Sequence, residues 1–210
     1  MTIAIIGTGN IGTGLARTLA PVLPVIVAGA APQDGPDLAQ RLGQAGLGVQ
    51  GATMAEAVAQ ARIVVLAVPY GAVADIVREV SLTGKIVVDV TNPLLADFSG
   101  IVVGHNSSAA EEIQKLAPTA RVVKAFNTVF AQIYEGGLGF GDRSVQTFVA
   151  SDDGEAKAEV IALAIQAGFD AVDAGPLTNA RYIEPLGYLN IQFGYMLGQG
   201  TQIAPVWLHR

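Results

Sequence analysis

Gly7, Gly9 and Gly12 stand in the spacing G-T-G-N-I-G, after a short apolar run and ahead of an amphipathic stretch. Each glycine in such a turn has its own task. Gly7 permits the tight turn, Gly9 lets the main chain approach a diphosphate, and Gly12 lets the following helix pack closely on its strand. Gly7, Thr8, Gly9, Asn10, Ile11 and Gly12 would together form the cofactor-binding turn, and the free N–H groups at the positive end of that helix would bind the phosphates. The spacing alone is common in a chain with 25 glycines; the strand before it and the helix after it supply the context. The chemistry indicated is the binding of a dinucleotide.

Further polar groups follow other apolar runs, where the carboxyl ends of parallel strands receive ligands. Val68 and Pro69 would wall the coenzyme. Thr91, Asn92 and Pro93 would fix its ribose and ring, and Asn127 and Thr128 would orient a nicotinamide carboxamide. Asn92-Pro93 also reads as a turn initiator and Asn127 as a strand-end cap. The candidates for a chemical role are His105, Lys124 and Asn127, with His105 and the glycines from Gly136 to Gly141 bordering the acceptor. The rival readings are an exposed loop histidine and a lysine paired with a carboxylate in the core. His209 lies next to the C-terminus.

An NAD site has an acid at the end of its second strand, and an NADP site has an arginine nearby. Here the residues are Gly29, Ala30, Ala31, Pro32 and Gln33, with Asp34 as a displaced acid and Arg41 as a cation further on. Reducing a carbonyl needs a placed proton donor. Passing hydride to a flavin or deazaflavin needs mainly stacked rings, because the carrier absorbs the charge. The sparse acid–base inventory favours the second. No spacing of His, Asp or Glu resembles a metal ligand set, and no nucleophile elbow is present.

The elements that would position these groups alternate strand and helix. Strands are expected at Thr2–Gly7, Pro24–Gly29, Gly48–Gln50, Arg62–Val68, Lys85–Thr91, Arg121–Phe126, Ser144–Ser151 and Phe169–Asp173. Helices are expected at Ile11–Ala20, Asp37–Gly43, Met54–Ala61, Ala72–Val80, Ser108–Leu116 and Glu155–Ala167, with a glycine-rich mobile loop at Tyr134–Arg143. Continuous β-branched runs between helical periods specify an α/β fold, a Rossmann-type doubly wound parallel sheet, over residues 1–175. Residues 176–210 form a small C-terminal helical extension and not an independent domain. Within it Tyr182, Leu186, Leu189, Phe193 and Met196 recur at helical spacing over Asn179–Gly200, and Pro185 should kink the helix or lie near its start. Apolar surface on several sides implies packing on the domain and on a second copy, as a homodimer.

The formal charge of -6 excludes a nucleic-acid partner, and no apolar run is long enough for a membrane span. The chain has no cysteine, and its start lacks the basic region of a secretory signal, so a cytoplasmic protein is expected.

Together with the glycine turn, KIVVDVTNPL (Lys85–Leu94), NSSAAEEIQKLAP (Asn106–Pro118), RVVKAFNTV (Arg121–Val129) and DAGPLTNARYIEPL (Asp173–Leu186) carry a resemblance over nearly the whole chain. The sequence resembles the NADPH-dependent reductases of the 8-hydroxy-5-deazaflavin coenzyme. It is also similar to the cytoplasmic reductase domains of the six-transmembrane metalloreductases, which pass hydride from NADPH to a flavin. The resemblance implies a Rossmann domain with a C-terminal helical extension, often dimeric, using NADP(H) more than NAD(H). That family commonly follows its second strand with a Ser-Arg pair holding the 2′-phosphate, where this chain has Ala30 and Ala31. The expected activity is hydride transfer between NADP(H) and a flavin or deazaflavin-type acceptor. The alternatives are a small imine or carbonyl reductase like the pyrroline-carboxylate reductases, and a non-catalytic dinucleotide sensor.

Overall fold

The computed structural model describes residues 1–208 and 210. Six short strands, β1 (Ile3–Ile6), β2 (Val25–Ala28), β3 (Val49–Gly51), β4 (Ile63–Leu66), β5 (Ile86–Asp89) and β6 (Arg121–Lys124), form one parallel sheet in the order β3-β2-β1-β4-β5-β6. The register aligns Ile6 with Ala28 and Leu66, Leu66 with Asp89, and Asp89 with Lys124, so the carboxyl ends from β2 to β6 finish level. Strand order reverses between β1 and β4, which opens a crevice at that edge. This is the doubly wound α/β fold that the sequence predicts.

Strands β1, β2, β4 and β5 are buried along their whole length, which explains their unbroken runs of Ile, Val, Leu and Ala. Alternate residues serve opposite faces. Ile3, Ile5, Val25, Val27, Val65 and Val88 meet α1 (Asn10–Leu19), α2 (Asp34–Gln44), α6 (Ala131–Gly136) and α7 (Gly154–Gln166). On the other face Ala4, Ile6, Ile26, Val64 and Leu66 meet α3 (Met54–Gln60), α4 (Val73–Glu79) and α5 (Ala109–Leu116). The helices start where side chains satisfy free N–H groups. Thr53 and Glu56 form a capping box on α3, and Ser108 and Asp153 cap α5 and α7.

Helix α2 begins at Asp34, earlier than the expected Asp37, because Pro36 falls in a first turn that needs no donor from it. The stretch expected as a loop at Tyr134–Arg143 instead completes α6 and forms a small hairpin, β7 (Gly139–Phe140) with β8 (Arg143–Ser144). Ile133 and Tyr134 are buried against α1, where Gly14 makes room: a Cβ there would lie 2.6 Å from the Tyr134 ring. Beyond the hairpin, β9 (Gln146–Val149) and β10 (Asp170–Asp173) run parallel to each other, and Lys124 and Ala150 bridge this pair to β6.

The extension forms α8 (Ala180–Ile191), which contains Pro185 and continues as a π turn over Gln192–Met196. Its buried side is Ala180, Ile183, Glu184, Gly187 and Asn190. Of the expected stripe, Leu186 packs against Phe148, Ala150 and Ile183, whereas Tyr182 is 73% exposed and Leu189, Phe193 and Met196 are also exposed. The polar residues Glu184 and Asn190 have partners inside the fold, and those partners set the helix's rotation. Among the described residues, no helix is long and apolar enough to cross a membrane.

Candidate active site

The glycine turn sits at the crevice. Gly7 has φ +124°, and a Cβ on it would come 2.0 Å from the carbonyl oxygen of Ala67; one on Gly12 would come 1.9 Å from that of Gly7. Gly9 differs: a Cβ there meets nothing within 4 Å. Packing therefore enforces Gly7 and Gly12, while the space over Gly9 is open. No side chain caps α1 and no acid occupies its first turn, so its positive end is free for an anion. These features fit a dinucleotide diphosphate. Val68 packs beside Gly7, with its Cγ1 3.2 Å from the position of that Cβ, and exposed Pro69 opens a short 3-10 turn. Ala30 and Ala31 are exposed at the end of β2.

Beyond β5 and β6 the site is made of side chains. Asn92 and Asn127 form a reciprocal pair: Asn92 Nδ2 donates to the Asn127 carbonyl at 2.8 Å, and Asn127 Nδ2 donates to Asn92 Oδ1 at 2.9 Å. Asn127 Nδ2 also reaches the carbonyl of Ile183 on α8 at 3.0 Å, and Asn190 Nδ2 donates to the Thr128 carbonyl at 3.1 Å. Gly187 lets α8 come this close, since a Cβ would stand 2.8 Å from Asn127 Nδ2. Among the described residues, three side-chain oxygens at this end of the sheet are buried without a partner: Thr91 Oγ1, Asn127 Oδ1 and Thr128 Oγ1. An unmet buried polar atom costs about 1–3 kcal/mol, a cost that a ligand amide would remove.

Asn127 and Thr128 line a cavity of about 270 Å³ that runs from Asn10 and Ile11 to the inner side of α8. Its lining combines aromatic rings with aliphatic side chains and the amides of Asn10, Asn92, Asn127 and Asn190. Phe130 and Tyr195 meet edge to face at 5.5 Å, and half-exposed Phe98 faces the same space. Phe98 has φ 59°, and its carbonyl accepts from the Tyr188 hydroxyl at 3.1 Å.

Under this cavity lies a charged knot. Lys124 has no solvent exposure; its ammonium is 2.8 Å from Asp89 Oδ2 and 3.0 Å from Glu184 Oε1, and it donates to the Thr91 carbonyl at 2.5 Å. Asp89 Oδ1 accepts from the Thr91 N–H at 2.8 Å, so the pair grips both main-chain groups of Thr91. Glu184 accepts from the N–H groups of Ala109 and Ala110 at 2.8 and 3.2 Å, at the positive end of α5. Burial acts to lower the Lys124 pKa, but Asp89 and Glu184 outweigh it and hold the ammonium above its ordinary range. Burial likewise pushes the Glu184 carboxyl up, against the pull of Lys124.

Lys124, expected as a candidate for a chemical role, is enclosed by Asp89, Glu184 and the Thr91 carbonyl and does not line the cavity. Its core-pair reading describes what is found, and Lys124 positions Thr91. His105 is exposed on a loop at φ 59°, and neither it nor Gly136–Gly141 is among the residues lining the cavity. His209 lies outside the described residues. Sequence reading missed Phe98, Phe130, Tyr195 and Asn190, which carry no motif. It also missed Asp89 and Glu184, although each charge stands within an apolar run, as Lys124 does.

Comparison with known proteins places this geometry among relatives. Residues 2–93 match the profile of the family described as NADP oxidoreductase, coenzyme F420-dependent. The F420-dependent NADP reductase of Methanothermobacter marburgensis is 32% identical over 204 residues, covering 89% of this chain and 89% of that protein. The metalloreductase STEAP3 of Rattus norvegicus is 38% identical over 105 residues; the match takes in 50% of this chain but spans only 20% of that protein. A crystal structure assigned to an F420-dependent NADP reductase of Arthrobacter sp. FB24 superposes with a TM-score of 0.77 at 30% identity, over 97% of this chain and 99% of that one.

Proposed function

The chain belongs to the coenzyme F420-dependent NADP oxidoreductase family, and on that premise we propose that it is an oxidoreductase moving hydride between NADP(H) and a flavin or deazaflavin-type ring. The observation that carries this reading is the cavity beside the glycine turn. It offers aromatic rings and unpaired amide and hydroxyl oxygens, yet among its lining residues Tyr195 is the sole ionisable group. A carbonyl or imine substrate calls for a proton donor at the reacting atom. A conjugated ring takes up the charge itself, and bound nicotinamide supplies or receives the hydride.

The chain's own residues bind, orient and exclude water. The N–H groups from Thr8 to Gly12 hold the diphosphate. Thr128 Oγ1 and Asn127 Oδ1 orient the carboxamide, and Thr91 and Asn92, held from below by Lys124 and Asp89, set the ribose and ring. Phe98 and the edge-to-face pair of Phe130 and Tyr195 border the acceptor and keep water away from it. His105 and Gly136–Gly141 have no part in this reading.

The exposed stripe of Tyr182, Leu189, Phe193 and Met196 supports a homodimer through α8, because monomers rarely leave such a contiguous apolar surface in water. A cytoplasmic setting accords with a chain that has no cysteine to oxidise. The test is steady-state oxidation of NADPH with coenzyme F420, FMN and riboflavin, set against simple ketones and cyclic imines. Turnover with a ring acceptor and none with the others is expected. Failure with every isoalloxazine-type ring would refute the acceptor assignment. Sedimentation equilibrium of the parent and of Phe193→Glu tests the dimer.

A further inference from the structure

The turn after β2 holds an acid that returns to the strand end. Asp34 opens α2, but its side chain folds back over Gly29: a Cβ on Gly29 would lie 2.4 Å from Asp34 Cβ and 2.6 Å from Oδ2. Oδ2 accepts from the Ala31 N–H at 2.9 Å. Among the described residues no protein donor reaches Oδ1. Nearby Gln33 is engaged with Asp37 at 3.0 Å, and residues 29–37 contain no lysine or arginine. Arg17 and Arg41 border a cleft with Thr8, Asn10, Thr13 and Glu135 beside the glycine turn, and no residue from the end of β2 lines it.

In a sheet of this kind, whatever stands at the end of the second strand meets the adenosine ribose. A carboxylate there accepts from the 2′-hydroxyl, whereas a guanidinium pairs with a 2′-phosphate. Gly29 lets Asp34 supply such a carboxylate from five residues downstream. Its charge, joined by that of Asp37, opposes a phosphate dianion. Solvent around exposed Ala30 and Ala31 screens this opposition without cancelling it. Building on the dinucleotide reading above, we infer that Asp34 is the residue setting coenzyme choice, and that this protein accepts NADH alongside NADPH. Its oxygen Oδ1 receives the ribose hydroxyl of the former.

The test is calorimetric titration of the whole chain with NADH, NADPH, 5′-AMP and adenosine 2′,5′-bisphosphate, which needs no acceptor and no turnover. The two coenzymes are expected to bind within about tenfold of one another, the span of one charge-assisted hydrogen bond. Asp34→Ala should weaken NADH about tenfold and strengthen NADPH a few-fold. Asp34→Asn keeps an acceptor for the Ala31 N–H and should still strengthen NADPH, so a loosened turn does not confuse the result. Ala31→Arg should tighten NADPH and adenosine 2′,5′-bisphosphate by about tenfold. A parent that binds NADPH more than about a hundredfold tighter than NADH overturns the inference and leaves the dinucleotide reading standing. So do Asp34 variants that shift both coenzymes equally. Binding of neither coenzyme overturns both.

Discussion

At the amino-terminal end of the crevice, ligand-facing groups are main-chain amides arranged by glycines; under α8 they are side chains held in place by other side chains. The first region involves residues adjacent in the chain, and backbone atoms close it around Gly7 and Gly12. The second joins Asp89, Lys124 and Glu184 from a β5 end, a β6 end and the last helix. A main-chain site is vulnerable only where a Cβ would intrude. A side-chain site fails when any distant partner is lost, because the groups left behind stay buried and charged.

Four changes would break or sharpen this contrast. The largest effect is expected from Lys124→Met, which leaves Asp89 and Glu184 facing each other without a cation. Removing one member of a buried pair costs about 3–5 kcal/mol, read as a lowered denaturant midpoint. Adding Glu184→Gln should restore part of the loss, and full stability in the single variant would show that the knot carries no strain of charge. Next comes Gly9→Val, whose Cβ has open space in the folded chain. Its thermal midpoint should match the parent while dinucleotide affinity falls by roughly a hundredfold, near 2.7 kcal/mol. Unaltered affinity would detach the turn from phosphate binding.

Asn127→Ala removes both the pair with Asn92 and the open Oδ1. A loss of about tenfold in kcat/KM for NADPH is expected, roughly 1.4 kcal/mol, and an unchanged value would leave the carboxamide without its proposed partner. The smallest effect concerns Glu111 on α5, whose carboxyl the Arg181 guanidinium on α8 holds below its ordinary value near 4.5. A depressed carboxyl stabilises the fold above its unfolded pKa, and the gain disappears as pH falls through the folded value. Unfolding midpoints measured from pH 7 down to pH 3 should therefore drop less steeply in Glu111→Gln than in the parent.

The sheet was readable because burial on both faces removes polar residues from the strands, so IAII, VIVA, IVVL and IVVD stand out between helical periods. The glycine turn was readable for a related reason, since Gly7 and Gly12 are steric requirements of the strand-to-helix connection. Helix α6 was not. Its six residues gain their shape from Ile133 and Tyr134 settling against Gly14 of α1, a contact far away in sequence. The rotation of α8 was not readable, because apolar periodicity identifies a helix but not which side it hides. Glu184 and Asn190 are drawn inward by Lys124, by the first amides of α5 and by the Thr128 carbonyl, and the larger apolar residues turn outward as a result. Three lone charges in apolar runs were the available clue, and their mutual pairing could be seen only in space.

The reach of Glu184 from α8 to Lys124 and α5 has a consequence for anyone recombining such proteins. A fragment stopping before α8 would lose the acid that answers Lys124 and the opening amides of α5, and such a fragment is expected to be less stable than the whole chain. Grafting it onto a foreign tail would require either a glutamate delivered to the same spot or an uncharged replacement for the lysine and its aspartate together.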